Sequence, residues 1–188
     1  MQPSNAGGAY QARDTRTGRL VFVKEARPHN GYTWDGVDAK RRLRQEYDTL
    51  TAVHRAAPGV CPRPLELFTE WEHDFLVMEH VDGVPLTRWI NGASPVLDSA
   101  LGQPHALGLR FGDVSPGNVI VAPAGEARLI DFESVTPVGD PPARMGTAGF
   151  APPPEVTAAH PAEPLLTDRN SWPHSPSPCW HRSTTLPG

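Results

Sequence analysis

The sequence predicts an α+β chain in two parts: an N-terminal antiparallel sheet carrying one helix, then a second part built on a β-hairpin. Three observations predict it. An apolar run, Leu20-Val21-Phe22-Val23, ends in Lys24 and reads as a strand. Leu43, Tyr47, Leu50 and Val53 recur at helical spacing. Two short apolar runs, 119–122 and 128–130, flank Pro123-Ala124-Gly125-Glu126, a turn-forming cluster.

Composition bounds the function. A chain of 188 residues is of ordinary single-domain size. A net charge of −4 gives no broad basic surface, so nucleic acid is not an expected partner. Cys61 and Cys179 lie far apart and form neither a zinc spacing nor a disulfide framework, as expected of a reducing cytoplasm. No run of about eighteen apolar residues predicts a membrane span. Of the 22 prolines, twelve fall between Pro137 and Pro187, which marks the C-terminal part as different.

Taken in order, Gly7-Gly8 reads as a turn running into a strand over 10–14. A turn at 15–18 leads to the strand ending at Lys24, whose unbroken apolar run suggests cover on both faces. Lys24 is either a surface terminator or a cation for phosphates. The helix is expected over 37–55, capped by Asp35 or Asp38. Glu46 lies beside its apolar stripe. Arg41, Arg42, Arg44 and Asp48 read as a solvated face. Strands are expected over 65–71 and 75–81, ending at Asp82-Gly83. Met78 reads as core or as one wall of a pocket. Residues 85–108 predict only a short turn and a short helix, stopped near Gly102 and Pro104.

The stretch from Leu109 to Glu133 carries the chemistry. A hairpin turn centred on Ala124 and Gly125 makes opposing residue numbers sum to 249. Asn118 and Asp131 then face each other with Cβ atoms roughly 5 Å apart. Two such oxygen ligands suit Mg²⁺. Asp113 stands five residues before Asn118 in the entering loop. Asp, Ser, Pro, Gly and Asn are also ordinary loop formers, the plain alternative for residues 113–118. The spacing D-x-x-x-x-N, then strand, turn and Asp-Phe, matches the catalytic loop and metal-binding element of phosphotransferases.

Lys24, Glu46, Asp113, Asn118, Asp131-Phe132 and the segment Gly146-Thr147-Ala148-Gly149-Phe150-Ala151-Pro152-Pro153-Pro154-Glu155 together resemble the protein-kinase pattern in their order. Residues 23–29 (VKEARPH), 71–73 (WEH), 111–116 (FGDVSP) and 129–133 (LIDFE) resemble the central kinase module of class III lanthipeptide synthetases. The resemblance spans about residues 7–155. It implies a two-lobed protein kinase-like fold, with an N-lobe over 1–81 and a partial C-lobe over 82–155; residues 156–188, rich in Pro, Ser and His and poor in aliphatics after Leu166, read from composition as a disordered tail. It implies ATP- or GTP-dependent, Mg²⁺-dependent phosphorylation of Ser and Thr in a peptide. Asp113 would be the base, and Lys24, steadied by Glu46, would neutralise phosphate charge. Asn118 and Asp131 would hold the metal. Gly7, Gly8, Met78, Glu79 and Val81 would line the nucleotide site.

Departures accompany the likeness. Phe111 and Gly112 stand where that pattern has His and Arg, so activation by a phosphate on the following segment is not expected. Glu133 replaces the Gly after Asp-Phe, and a full G-x-G-x-x-G is absent. The helical region after residue 82 reads as shortened, and the tail from about Arg169 reads as out-of-frame sequence. Small-molecule phosphotransferases of the aminoglycoside and choline type share Gly112-Asp113, Pro116-Gly117-Asn118 and Ile130-Asp131-Phe132. A non-catalytic nucleotide-binding remnant is the third alternative.

Overall fold

The computed structural model describes residues 2–4, 7–33, 36–88 and 93–143, and beyond these Thr147, Phe150 and Asp168. The expected tail and most of the segment 146–155 lie outside the described residues. The described chain is α+β.

Strands β1 (Gln2–Ser4), β2 (Gly7–Arg13), β3 (Leu20–Ala26), β4 (Pro64–Glu70) and β5 (His73–Glu79) form one antiparallel sheet in the order β1-β2-β3-β5-β4. Ala9 pairs with Lys24 and Lys24 with Leu76, placing the lysine mid-sheet. Val21 of β3 is buried on one side of the sheet; on the other, Phe22 packs against the core and Lys24 reaches helix α1, with Leu20 at the strand start 41% exposed. On the opposite side Glu25 accepts hydrogen bonds from Tyr10 Oη at 2.7 Å and Arg27 Nε at 3.2 Å, and lies 2.6 Å from His73 Nδ1. Two stretches that carried the lanthipeptide-synthetase resemblance, around Glu25 and His73, thus meet in space.

Helix α1 runs Ala39–Ala56, with Asp38 as its cap: the Asp38 carboxylate accepts from the Arg41 N–H. Its buried face, Ala39, Arg42, Leu43, Glu46, Leu50 and Val53, repeats every three or four residues. Burial of side chains such as Leu50 and Val53 contributes about 1.5–3 kcal/mol each. Of the residues read as a solvated face, Arg41, Arg44 and Asp48 are exposed and Arg42 is not. Arg42 is buried and donates to the carbonyls of Gly31 and Val37. Arg44 Nε and Lys40 Nζ meet the buried Asp74 carboxylate at 2.7 and 3.1 Å, docking α1 on β5.

Strand β6 (Val84–Pro85) pairs with β8 (Val119–Val121), which pairs with β9 (Ala127–Leu129); β7 (Leu109–Arg110) pairs with β10 (Thr136–Pro137). Between β6 and β7, helix α2 spans Ala93–Ala106, longer than the sequence suggested. Pro104 falls in its last turn, where it gives up one ladder hydrogen bond and few residues remain beyond it. Leu97, Ala100 and Leu101 are buried against the hairpin side of the core. The hairpin joins the N-terminal part directly: Leu129 N–H donates to the Val60 carbonyl at 2.8 Å. Arg128 donates to both Glu79 oxygens, at 3.2 and 3.0 Å, and to the Cys61 carbonyl at 2.7 Å.

The hairpin register corrects the expected one. Val119 pairs with Leu129 and Val121 with Ala127, so opposing numbers sum to 248. The connection is the three-residue loop Pro123-Ala124-Gly125, with Gly125 at φ 94° and Ala122 N–H bonded to Glu126 O. An odd loop shifts the register by one, so Asn118 lies opposite Ile130 rather than Asp131. Ile130 N–H donates to the Asn118 carbonyl at 2.8 Å.

Candidate functional site

Three elements bring charged groups to one point. Strand β3 supplies Lys24, α1 supplies Glu46, and the segment leaving β9 supplies Asp131. Lys24 Nζ donates to Glu46 Oε1 at 2.7 Å and Oε2 at 2.9 Å, and to Asp131 Oδ1 at 2.8 Å. Asp131 has φ 66°, a left-handed backbone that Asp tolerates better than most residues. Just past this turn, Phe132 N–H donates to Glu46 Oε1 at 3.0 Å. Glu133 joins the group: ligand atoms of Glu46, Asp131 and Glu133 lie within 4.8 Å of one another.

The electrostatics follow from unequal exposure. Burial pushes Glu46 up to about 7, with Lys24 pulling it down and Asp131 and Glu133 adding to the rise. Asp131, whose side chain is 42% exposed, is held below the usual carboxylate range: its desolvation is outweighed by Lys24. Burial opposes the charge on Lys24, yet Glu46, Asp131 and Glu133 together hold it protonated, well above its usual range. Three carboxylates around one lysine leave negative charge to spare for a divalent cation.

Asp113 sits apart from that network, in the loop between β7 and the 3₁₀ turn Pro116–Asn118. Its Oδ2 accepts from Thr147 N–H and Thr147 Oγ1, both at 3.0 Å. Its Oδ1 is buried and has no hydrogen-bond partner among the described residues. Burial raises its pKa, against the hydrogen bonds from Thr147. Asn118 Nδ2 donates to the Asp113 carbonyl at 3.1 Å, which fixes the amide and turns its Oδ1 into the atom that could bind a cation.

Asp168, which sequence reasoning missed, holds this loop. Its Oδ2 accepts from Phe111 N–H at 2.7 Å and its Oδ1 from Gly112 N–H at 2.9 Å; Oδ2 also lies 2.7 Å from His105 Nε2 of α2. Nothing local in its sequence marks it, because its partners are backbone groups more than fifty residues away. Gly112 has φ 85°, and a Cβ there would stand 2.6 Å from the Ser134 carbonyl oxygen. Phe111 and Phe132 are buried edge to face, with ring centroids 5.3 Å apart at 88°, and tie the Asp113 loop to the Asp131 segment. The aromatic at 111 therefore has a packing role.

The remaining predicted residues divide. Gly7 and Gly8 lie in β2 opposite Ala26 and Glu25. A Cβ at Gly7 would meet the Glu25 backbone carbonyl, so sheet packing already requires that glycine, whereas one at Gly8 would meet only the outer end of the Tyr10 side chain. Met78 is buried in the core, paired with Phe22. Glu79 N–H is committed to the Arg63 carbonyl at 2.9 Å and its side chain to Arg128. Val81 is half-buried just past β5.

No family model matches this chain. A 177-residue alignment with the probable SapB synthase of Streptomyces coelicolor is 35% identical and covers 81% of this chain. A 178-residue alignment with the serine/threonine-protein kinase PknA of Mycobacterium tuberculosis is 29% identical and covers 84% of it. The probable serine/threonine-protein kinase PknB of Lactococcus lactis is 29% identical over 136 residues, 65% of this chain. The chain is protein kinase-like. This kinase-like chain spans about a fifth of the SapB synthase, 19%, and 40% and 21% of the two kinases. Among its described residues, no helix is long and apolar enough to cross a membrane.

Proposed function

We propose that the chain is a phosphotransferase that uses Mg²⁺ and ATP or GTP to phosphorylate Ser and Thr hydroxyls of a peptide, in the cytoplasm. One observation carries the reading: the buried, unpartnered Oδ1 of Asp113. An unmet buried acceptor costs about 1–3 kcal/mol, which a hydroxyl donor would relieve. Asp113 orients that hydroxyl and takes its proton, while Thr147 and Asp168 hold the loop. Lys24, kept charged and oriented by Glu46, offers a point charge to phosphate oxygens. Gly7, Gly8, Met78, Glu79 and Val81 supply the nucleotide-facing surface. Asn118 Oδ1 and the Asp131 carboxylate are the groups that would hold Mg²⁺. The metal, when bound, neutralises charge on the phosphates.

The test is purified Asp131→Asn protein assayed with Mg-ATP and Ser/Thr peptides. Transfer should fall by about a thousandfold or more, with the fold retained. Transfer equal to the parent's would refute the assignment. Phosphorylation of aminoglycosides or choline-like alcohols in place of peptides would reassign the acceptor while leaving the site intact. Thermal stabilisation by Mg-ATP without turnover would favour a nucleotide-binding remnant.

A further inference from the structure

We propose that Glu133 is a positioning residue: it engages Arg42 and, with Glu46, fixes helix α1 against the segment that carries Asp131. The inference rests on the phosphotransferase reading and adds a device that keeps that site assembled.

Residues 131, 132 and 133 each touch the N-terminal part by a different route. Asp131 bonds Lys24 at 2.8 Å, Phe132 N–H bonds Glu46 at 3.0 Å, and Glu133 Oε2 lies 3.6 Å from Arg42 Nε. Arg42 and Glu46 are four residues apart on α1, so they share a face one turn apart. A single tie at Glu46 would leave the helix free to pivot about that point. A second tie one turn away removes the pivot.

Arg42 is suited to this. Its Nη1 is committed to the carbonyls of Gly31 and Val37 in the loop preceding α1, and its Nε, buried, has no hydrogen-bond partner at closer range. The side chain of Arg42 is 8% exposed and that of Glu133 is 31% exposed, so the pair is partly shielded from solvent. A glycine at 133 could not reach Arg42. The carboxylate there connects the Asp131 segment to Arg42, which already joins α1 to the 30–38 loop.

The contact predicts coupling between residues 42 and 133. Glu133→Gln and Arg42→Met should each speed hydrogen exchange of α1 amides by about tenfold in the full chain, and the double variant should exceed neither. Phosphotransfer kcat should fall by a similar factor, with the Mg²⁺ concentration for half-maximal rate unchanged. Glu133→Asp should restore part of the protection.

Exchange in Glu133→Gln as slow as in the parent would overturn the proposal. So would independent, multiplying losses in the double variant. A raised Mg²⁺ requirement without faster α1 exchange would instead make Glu133 a metal ligand, and would overturn it too. Hydrogen exchange needs no turnover, so a parent protein with no kinase activity would sink the functional reading and still leave the coupling measurable.

Discussion

Glu46 meets Lys24 with both carboxylate oxygens, at 2.7 and 2.9 Å, from a position on α1 with no solvent exposure. Both groups have left water, and the attraction offsets a desolvation cost of several kcal/mol per ion. Glu46 is raised on folding from its ordinary 4.5 to about 7. Between those values the native state binds more protons than the unfolded chain, so stability falls as pH climbs through that window. Lys24 is raised too, so its contribution stays in place there and is lost only above about 10.5. Urea unfolding from pH 5 to pH 7 should therefore show the parent losing stability, on the order of 2 kcal/mol, relative to Glu46→Gln. Parallel pH profiles for the two proteins would count against a buried, proton-linked Glu46.

Asp113 offers a second pH readout. Burial raises its pKa, and hydrogen bonds from Thr147 work against the rise. Turnover should require the ionised form, so rate should increase with pH through a pKa above the ordinary carboxylate value. Thr147→Val keeps the N–H bond at 3.0 Å and loses the hydroxyl bond at 3.0 Å. The acid limb of the pH–rate profile should then move to higher pH. A limb that stays in place, or moves down, would show that the hydroxyl does not stabilise the carboxylate.

Asp168 is buried and satisfies two backbone N–H groups of the loop before Asp113. Asp168→Ala leaves both donors unmet in the interior, at about 1–3 kcal/mol each. Thermal unfolding should show a large drop in midpoint, and Asp168→Asn, which keeps one acceptor oxygen, a smaller one. A midpoint for Asp168→Ala within a degree of the parent's would remove Asp168 from the loop's support.

Gly112 and Gly108 make a matched pair. Both have positive φ, 85° and 70°. A Cβ at 112 meets the Ser134 carbonyl oxygen at 2.6 Å, and one at 108 meets nothing within 4 Å. Gly108→Ala should cost about 1–2 kcal/mol from backbone strain alone. Gly112→Ala should cost more and displace Asp113, and Gly112→Arg should fare worse still. Denaturant midpoints decide it; equal losses at 108 and 112 would mean the crowding relaxes freely.

Much of this was legible in the chain itself. The apolar run ending in Lys24, the stripe through Leu43, Leu50 and Val53, and the cap at Asp38 are local patterns, and the structure has the corresponding strand and helix. What escaped was set by distant contacts. Arg42 looked like a surface residue because its partners, Gly31, Val37 and Glu133, lie outside the helix, although its spacing from Leu43 and Glu46 already put it on the buried face. The hairpin register turned on whether two or three residues form the loop, and Gly125 in a left-handed conformation selects three. Helix α2 continues through Gly102 and Pro104 to Ala106, although both residues read as stops in the sequence.

Asp168 stands 57 residues after Phe111 and 56 after Gly112, whose N–H groups it receives. During synthesis the chain emerges at about 5–20 residues per second, N-terminal part first. The sheet, α1 and the Lys24–Glu46 pair can assemble while the Asp113 loop still lacks its acceptor. For several seconds a nascent chain would therefore carry a finished lysine–glutamate pair beside an unclamped loop. The timing of the last contact, set by sequence distance alone, separates the maturation of the two halves of one site.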